Sequence, residues 1–299
     1  MSQSSSSTVS AGAAIESPRR RDSPLFQRVA TGLAVATLAL VVIFAVPPDV
    51  AFFTWFAIFF WASIEFVAMA RRLVPTAPFA ALYLAIPLAA LAVFAMSRSD
   101  AAGVGAATIV MSGAALVTFA VGATLLGRVA APDALASAGV MTLAVPYFAV
   151  PVLCLDQLQR LDPWLTFLFI LVVSLGDTMA FFVGRAIGRH KLAPRISPNK
   201  TIEGSIGGLL FAIGGAAAWS LWRLGEVVPG LLLVAALTAL AAQIGDLVES
   251  LFKRGAGIKD SAQTLPGHGG VYDRVDAILL AAPVFLAGVL ALGPERLLP

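Results

Sequence analysis

Long uncharged hydrophobic stretches, separated by short polar ones, dominate the chain. The clearest of them are Val29–Val46, Phe79–Met96, Ala101–Gly127, Ala134–Leu155 and Val227–Gly245. A helix rises about 1.5 Å per residue, so about 18 apolar residues cross the hydrocarbon core of a bilayer. The pattern therefore predicts an all-α, polytopic integral membrane protein.

About nine segments of this pattern are apolar enough to be predicted as transmembrane helices. They lie near residues 28–46, 51–70, 78–96, 103–126, 136–155, 163–183, 205–222, 228–250 and 276–293. The seventh segment is rich in glycine and has the weakest hydrophobic signal. An odd number of helices puts the two ends of the chain on opposite sides of the membrane.

The distribution of lysine and arginine supports this count, because cytoplasmic loops of membrane proteins are enriched in both. With a cytoplasmic N-terminus, 16 of the 20 basic residues fall on the cytoplasmic side. The other four are Arg98, Arg160, Arg223 and Arg296. A miscounted helix would mix the two sets from that point onward, so we expect nine helices and a C-terminus on the outside.

Polar content divides the chain into three predicted parts. Residues 1–24 are rich in serine and predict a disordered cytoplasmic tail. Residues 25–160 are predicted to form N-terminal transmembrane helices, whose exceptional acid is Glu65, for which pairing with Arg71 or Arg72 is one explanation. Residues 161–299 are predicted to form a C-terminal catalytic transmembrane region, which contains the two largest charged loops.

The eighth predicted helix ends in two acids and a lysine that share one face. Asp246, Glu249, Ser250 and Lys253 are spaced at i, i+3, i+4 and i+7. Acids at membrane depth are costly unless they are paired, hydrated or bound to a cation. An ion pair between Glu249 and Lys253 explains Glu249 but leaves Asp246, one turn deeper, without a structural reason.

The loop that follows combines glycines with further acids. Glycines 267, 269 and 270 surround His268 and leave backbone amides free to bind phosphate oxygens. Asp273 and Asp276 lie at the start of the last helix, where one of them could serve as a cap. Together with Asp246 they are more typical of a hard-cation site with a phosphate partner.

The sixth predicted helix and the loop after it carry a second polar group. Asp177 lies among apolar residues, where an acid favours a functional role over a structural hydrogen bond. The spacing of Gly184 and Gly188 favours helix packing. Ser197-Pro198 predicts a turn. Thr201 is a predicted N-cap of the seventh helix, a role compatible with anion binding at its amides.

The stretch "SLFKRGAGIKDSAQTLPGHGGVYDRVD", from Ser250 to Asp276, resembles the signature of the CDP-diacylglycerol synthases, also called phosphatidate cytidylyltransferases. The stretch "GDTMAFFVGRAIGRHKLAPRISPNKTIEG" is similar to a second conserved segment of that family. The resemblance implies that CTP and phosphatidate react to give CDP-diacylglycerol and pyrophosphate. It also implies Mg²⁺ and leaves room for a second cation such as K⁺.

The resemblance also assigns roles to individual residues. The expected catalytic residues are Asp246, Lys259, His268 and Asp273. The metal is assigned to Asp246 and Asp273, with further candidates at Asp177, Asp260 and Asp276. Substrate phosphates are assigned to Lys200, Ser250, Lys253, Arg254, Gly267, Gly269, Gly270 and Arg274.

The expected partners are CTP, phosphatidate and membrane lipid, but no nucleic acid, and a homodimer is left open. We expect a bacterial inner membrane with the active site facing the cytoplasm. Two other functions share parts of the pattern. A CTP-dependent kinase of a polyprenol would need the same anion and metal chemistry. A transporter would place charges near the bilayer midplane in symmetric repeats, whereas these charges lie at one face of one half.

Overall fold

The computed structural model describes residues 25–75, 77–96, 113, 122, 131–265 and 269–298. Eight α-helices are described in these ranges, namely α1 Leu25–Phe44, α2 Pro48–Leu73, α3 Leu82–Met96, α4 Ala131–Leu161, α5 Pro163–Ile187, α6 Ile202–Leu224, α7 Pro229–Gly255 and α8 Tyr272–Leu292. Short 3-10 helices cover Phe79–Ala81 and Pro294–Leu297. The eight helices coincide with eight of the nine predicted segments. The ninth, 103–126, lies almost wholly outside the described residues.

Six of the helices, α2 and α4 to α8, are long and apolar enough to cross a membrane. Two shorter apolar stretches, Val29–Phe44 and Phe79–Ala92, belong to α1 and to α3 with its preceding 3-10 turn. The chain is therefore a mostly helical, multi-pass membrane protein, as the hydrophobic pattern predicts. Nine spans, the side of the N-terminus and the division into halves at residue 160 stay predictions. The predicted tail, residues 1–24, lies outside the described residues.

A small antiparallel hairpin between α5 and α6 departs from the all-α prediction. Strand β1, Lys191–Ala193, pairs with β2, Ser197–Thr201, and Lys191 faces Thr201. The turn occupies residues 194–196, so the prediction of a turn at Ser197-Pro198 is wrong, because both residues belong to β2. Proline is tolerated there because each strand of a two-stranded sheet is an edge strand, which needs few ladder donors.

Helices α5 and α6 pack closely because small residues line the surfaces that face each other. A methyl group added at Gly204 would lie 2.6 Å from the carbonyl oxygen of Ala180. One added at Gly184 would lie 2.8 Å from Oγ1 of Thr201, and one at Gly188 would lie 2.6 Å from the same atom. The predicted packing role of Gly184 and Gly188 is confirmed. This close contact holds α5, the hairpin and α6 together as one wall.

The apolar core joins the N-terminal helices to the last helix. The ring of Tyr272, which begins α8 and is fully buried, lies 5.8 Å from that of Phe66 on α2 and 5.9 Å from that of Phe148 on α4. Phe66 and Phe148 are themselves in edge contact at 5.4 Å. Edge-to-face ring pairs of this kind add to the free energy gained from burial. Helices α2 and α4 therefore support the start of α8 directly.

Ion pairs fasten the end of the bundle where α4 and α6 finish and α5 begins. Arg160 contacts Asp49 at 2.8 Å and Asp156 at 3.0 Å, which ties α4 to the start of α2. Arg223 lies 3.6 Å from Asp162 and stacks over the ring of Trp164. Both arginines belong to the small set predicted on the non-cytoplasmic side, and both lie at this one end.

Candidate active site

Three carboxylates from α7 and α8 meet at the other end of the bundle. They are Asp246, Glu249 and Asp276, and one oxygen of each lies within 4.8 Å of the others. Asp246 and Glu249 share a face of α7 because they are three residues apart. The main chains of the two helices touch beside them, since a methyl group at Gly245 would lie 2.6 Å from the carbonyl oxygen of Asp276. We call these three residues the carboxylate cluster.

Two lysines contact the carboxylate cluster from opposite sides. The ammonium of Lys200, on β2, lies 2.5 Å from Oδ2 of Asp246. The ammonium of Lys253 lies 2.6 Å from Oε2 of Glu249, whose side chain is only 1% exposed. The predicted ion pair between Glu249 and Lys253 is thus confirmed. The other oxygen of Glu249, Oε1, has no hydrogen-bond partner in the described part of the chain, so it keeps capacity to bind a cation.

Asp273 lies beside this cluster but holds a different set of partners. Its carboxylate accepts hydrogen bonds from the backbone amides of Gly270 at 2.8 Å and Ser261 at 3.1 Å. The ammonium of Lys253 contacts it at 3.0 Å. The described group able to hold a metal contains Glu249 and not Asp273, to which the sequence assigns the metal. The N-cap of α8 is Val271 and no side chain caps the helix, so the interpretation of one of the two aspartates as a cap is wrong.

A cavity of about 480 Å³ opens next to Asp246, between α5, the hairpin, α6 and α7. Its charged lining residues are Asp177, Arg185, Lys200 and Asp246. Phe181, which is 59% exposed, is among its apolar lining residues. Gln243 also lines the cavity, and its side chain hydrogen-bonds to that of Ser205 and so fastens α7 to α6. The cavity therefore presents both charged and apolar side chains to a ligand.

The α7–α8 loop, whose described residues are 256–265 and 269–271, is hydrogen-bonded to Glu65 on α2. Oε1 of Glu65 accepts hydrogen bonds from Oγ1 of Thr264 and the amide of Val271. Oε2 accepts from Oγ of Ser261 and the amide of Tyr272. The four donors lie at and before the start of α8, so these bonds, rather than a pair with a neighbouring arginine, explain the acid in α2. The sequence singled out Glu65 but did not predict these partners.

The model of the Cytidylyltransferase family matches residues 26–292 of the chain. The chain belongs to the cytidylyltransferase family. The matched range includes the whole of α2 to α8, and with them the carboxylate cluster, the cavity and the α7–α8 loop. The resemblance noted in the sequence is therefore confirmed.

Three curated relatives of this cytidylyltransferase-family chain are each named phosphatidate cytidylyltransferase. The chain is 44% identical over 126 residues to the one of Haemophilus influenzae, and the alignment covers 40% of this chain and 43% of the relative. It is 41% identical over 158 residues to that of Bacillus subtilis, covering 52% and 58%. For Staphylococcus epidermidis the figures are 48% over 115 residues, covering 38% and 44%. The chain thus spans about half the length of the curated relatives it matches.

The other predicted residues of this cytidylyltransferase-family protein lie around the loop. Lys259 and Asp260 line a second cavity, of about 370 Å³, together with Arg72 of α2. Gly269 adopts a φ of +80°, a backbone conformation that favours glycine. Gly267 and His268 lie outside the described residues, so their predicted contacts with phosphate stay predictions.

The remaining predicted phosphate ligands surround the cluster at different distances. Ser250 is buried, and its hydroxyl lies 3.4 Å from Oδ1 of Asp246. Arg254 is exposed and donates to the carbonyl oxygen of Ile196, in the turn of the hairpin. Arg274 is exposed in the first turn of α8. The structure thus brings Lys200, Ser250 and Lys253 to the cluster, while Arg254 lies at its outer edge.

The hairpin that carries Lys200 is fixed at both of its ends. The side chain of Thr201 accepts the amide of Gly204 at 3.1 Å, which confirms the predicted N-cap of α6. Glu203 accepts the amides of Arg189 and His190, and Nδ1 of His190 lies 2.6 Å from its Oε1. These contacts fix the hairpin against the start of α6, and Lys200 on β2 lies beside Asp246 of α7. Hydropathy contains no signal for this hairpin.

Proposed function

We propose that the protein is a phosphatidate cytidylyltransferase, which converts CTP and phosphatidate into CDP-diacylglycerol and pyrophosphate. The observation that carries the proposal is the carboxylate cluster beside a cavity lined by both charged and apolar side chains. The names of the relatives support it. Because the alignments cover about half of each relative, the activity of the whole protein is our proposal.

The reaction joins two anions. An oxygen of the phosphatidate phosphate forms a bond to the α-phosphorus of CTP. The bond between that phosphorus and the oxygen bridging to the β-phosphorus breaks, and pyrophosphate leaves with the electron pair. Catalysis of such a transfer depends mainly on positioning and on neutralising phosphate charge. Lysines and a metal ion at one site would meet both needs.

The donor set of the carboxylate cluster fits Mg²⁺, a hard cation that prefers oxygen ligands. Asp246, Glu249 and Asp276 would hold the ion, and the buried Oε1 of Glu249, which has no hydrogen-bond partner among the described residues, favours this assignment. A bound Mg²⁺ would neutralise the phosphate oxygens around the reacting phosphorus. A second cation such as K⁺ belongs to the same proposal, with Asp177 as its nearest remaining carboxylate on the cavity wall.

Lys200 and Lys253 are proposed to bind substrate phosphates. In the structure their ammonium groups contact Asp246 and Glu249. Moving either group onto a phosphate exchanges one charge-assisted hydrogen bond for another, while a bound Mg²⁺ would replace the positive charge beside the carboxylates. The lysines would then hold phosphate oxygens beside the carboxylates, rather than neutralise the carboxylates themselves. Arg254, Lys259 and Arg274 are proposed to bind phosphates farther from the reacting atoms.

Phosphatidate is proposed to enter the cavity sideways from the bilayer. Phe181 of α5 lines the cavity, and Ile206 and Leu210 of α6 are 52% and 62% exposed in a chain that spans the membrane. Such side chains suit contact with acyl chains, while the phosphate headgroup would reach Lys200 and Asp246. We place the site at the cytoplasmic leaflet of a bacterial inner membrane, where CTP is available and where the basic loops are predicted to lie.

The test uses the purified full chain in phosphatidate-containing vesicles with Mg²⁺. CTP labelled with ³²P at the α position should transfer label to lipid and release unlabelled pyrophosphate. CTP labelled at the γ position should give no labelled lipid. Transfer from the γ position alone would show a lipid kinase and refute the proposal. No transfer from either position would also refute it.

A further inference from the structure

Glu65 belongs to the N-terminal half of the chain. The four donors that hydrogen-bond to its carboxylate lie in a short segment of the C-terminal half, from Ser261 to Tyr272. The side chain of Glu65 belongs to α2 and the residue is 5% exposed. It lies 196 residues before Ser261 in the sequence and 207 before Tyr272. The four hydrogen bonds that it accepts have lengths of 2.6 to 3.1 Å, two on each oxygen. A carboxylate that accepts two hydrogen bonds on each oxygen holds its donors strongly and in a defined direction.

The backbone of the α7–α8 loop passes directly over this carboxylate. A methyl group added at Gly270 would collide with Oε2 of Glu65 and with the hydroxyl of Ser261. On its other side the same loop is bound by Asp273, which accepts the amides of Gly270 and Ser261. The carboxylates of Glu65 on α2 and Asp273 on α8 therefore both accept hydrogen bonds from the loop.

The described part of this loop contains little regular structure. Residues 256–265 and 269–271 form turns, bends and a single bridge between Leu265 and Gly269. Few backbone bonds therefore fix its path, and the bonds to side-chain carboxylates matter more. The loop carries Lys259 and leads into Asp273, whose carboxylate touches the Lys253 ammonium bound to Glu249. A shift of the loop would thus reach the carboxylate cluster.

We propose that Glu65 is a positioning residue, which holds the α7–α8 loop in the conformation that binds the nucleotide phosphates. Glu65 acts through the loop and touches no reacting atom. Helix α2 is then part of the active site and not only a membrane anchor. The role in binding CTP rests on the proposed function, whereas the hold on the loop does not.

The first experiment measures the loop without any substrate. Trypsin is added to the purified full chain in detergent, and cleavage after Lys259 in the loop is compared with cleavage after Arg195 in the hairpin turn. Glu65→Ala should accelerate cleavage after Lys259 by about tenfold or more, since the loss of even one charged hydrogen bond corresponds to such a factor. Cleavage after Arg195 should not change. Glu65→Gln, which keeps one acceptor oxygen, should fall between Glu65→Ala and the unsubstituted protein.

A matched control lies on the same helix. Ser63 is buried and donates to the carbonyl oxygen of Phe60, away from the loop. Ser63→Ala should cleave like the unsubstituted protein. Unchanged cleavage after Lys259 in Glu65→Ala would overturn the proposal. Equal acceleration at Lys259 and Arg195 would also overturn it, because it would show general loss of structure.

The second experiment measures kinetics in the lipid assay. Glu65→Ala should raise the KM for CTP about tenfold, with a smaller effect on the KM for phosphatidate. A decrease in rate that only follows the folded fraction would refute a positioning role. If Glu65→Ala does not fold, Thr264→Val removes one hydroxyl donor and should accelerate loop cleavage severalfold, and no acceleration would refute the proposal. If the unsubstituted protein makes no CDP-diacylglycerol, the proposed function fails, while the proteolysis still decides the role of Glu65 in holding the loop.

Discussion

Lys253 forms ion pairs with two buried acidic side chains, and replacing it by methionine tests how much these ion pairs contribute to stability. Its ammonium lies 2.6 Å from Oε2 of Glu249 and 3.0 Å from Oδ1 of Asp273. The three side chains are 14%, 1% and 6% exposed, so water replaces little of a lost contact. Methionine keeps most of the aliphatic length but removes the charge. Lys253→Met therefore leaves two carboxylates facing each other without their shared counter-ion.

The two contact distances of the Lys253 ammonium determine how much stability the substitution should remove. At an effective dielectric constant of about 20, each contact corresponds to about 6 kcal/mol of Coulomb attraction. Much of this is offset, because the charged groups lose hydration when they are buried. Breaking a buried pair by removing one partner typically costs about 3 to 5 kcal/mol. We expect Lys253→Met to lower the free energy of unfolding by that amount.

The assay is unfolding of the purified protein in mixed micelles by increasing SDS, for four proteins. They are the unsubstituted chain, Lys253→Met, Glu249→Gln and the double variant. Glu249→Gln removes one of the two unpaired charges, so the double variant should be more stable than the sum of the single effects predicts. Added Mg²⁺ should stabilise Lys253→Met more than the unsubstituted chain, because the ion supplies the missing positive charge.

Two results would refute this reasoning. A free energy of unfolding for Lys253→Met within about 1 kcal/mol of the unsubstituted chain would show that the ion pairs contribute little. Strict additivity in the double variant would show that Lys253 and Glu249 are not coupled, despite the 2.6 Å contact.

Three further predictions concern the cluster, the loop and the helix packing. Asp246→Asn should abolish turnover while the protein stays folded by size-exclusion chromatography, and normal turnover would reject its metal role. Lys259→Ala should lower the rate severalfold at limiting CTP or limiting phosphatidate, and an unchanged rate under both conditions would contradict phosphate binding. Gly208→Ala places a methyl group against the carbonyl oxygen of Gly176 and should destabilise the protein by about 1 to 3 kcal/mol. Gly214→Ala, where nothing lies within 4 Å, should be nearly neutral, and equal thermal stability of these two variants would count against close α5–α6 packing.

The helices were predictable because a bilayer demands long apolar stretches whatever their tertiary contacts. Hydropathy was less informative at the polar helix ends. The last helix begins at Tyr272, earlier than the predicted residue 276, because its first turn carries Asp273 and Arg274 and still has helical geometry. The β-hairpin could not be recognised in the same way, since its residues 191–201 do not cross the membrane and have no long apolar pattern to indicate them.

The site was predictable where its residues are close in sequence. The shared face of Asp246, Glu249 and Lys253 follows from helical spacing, but the Lys253 ion pair offered a sufficient reason for Glu249, so its place in the cluster was not predicted. The contacts of Glu65 could not be deduced, because its partners lie some 200 residues away and no local pattern indicates them. Asp276 was a candidate ligand because it follows Asp273 by three residues and lies in the stretch that resembles the family signature.

The contact of α7 with α8 at Gly245 determines how strongly activity should depend on the thickness of the bilayer. Because the main chains touch there, the separation of Asp246 and Asp276 depends on the backbone and hardly on side-chain rotamers. A thinner or thicker membrane changes the tilt of helices at a cost of a fraction of a kcal/mol per Å. The other helices can change their tilt in this way, whereas α7 and α8 tilt together, which preserves the separation of Asp246 and Asp276. We expect activity to vary little between vesicles of short and long acyl chains.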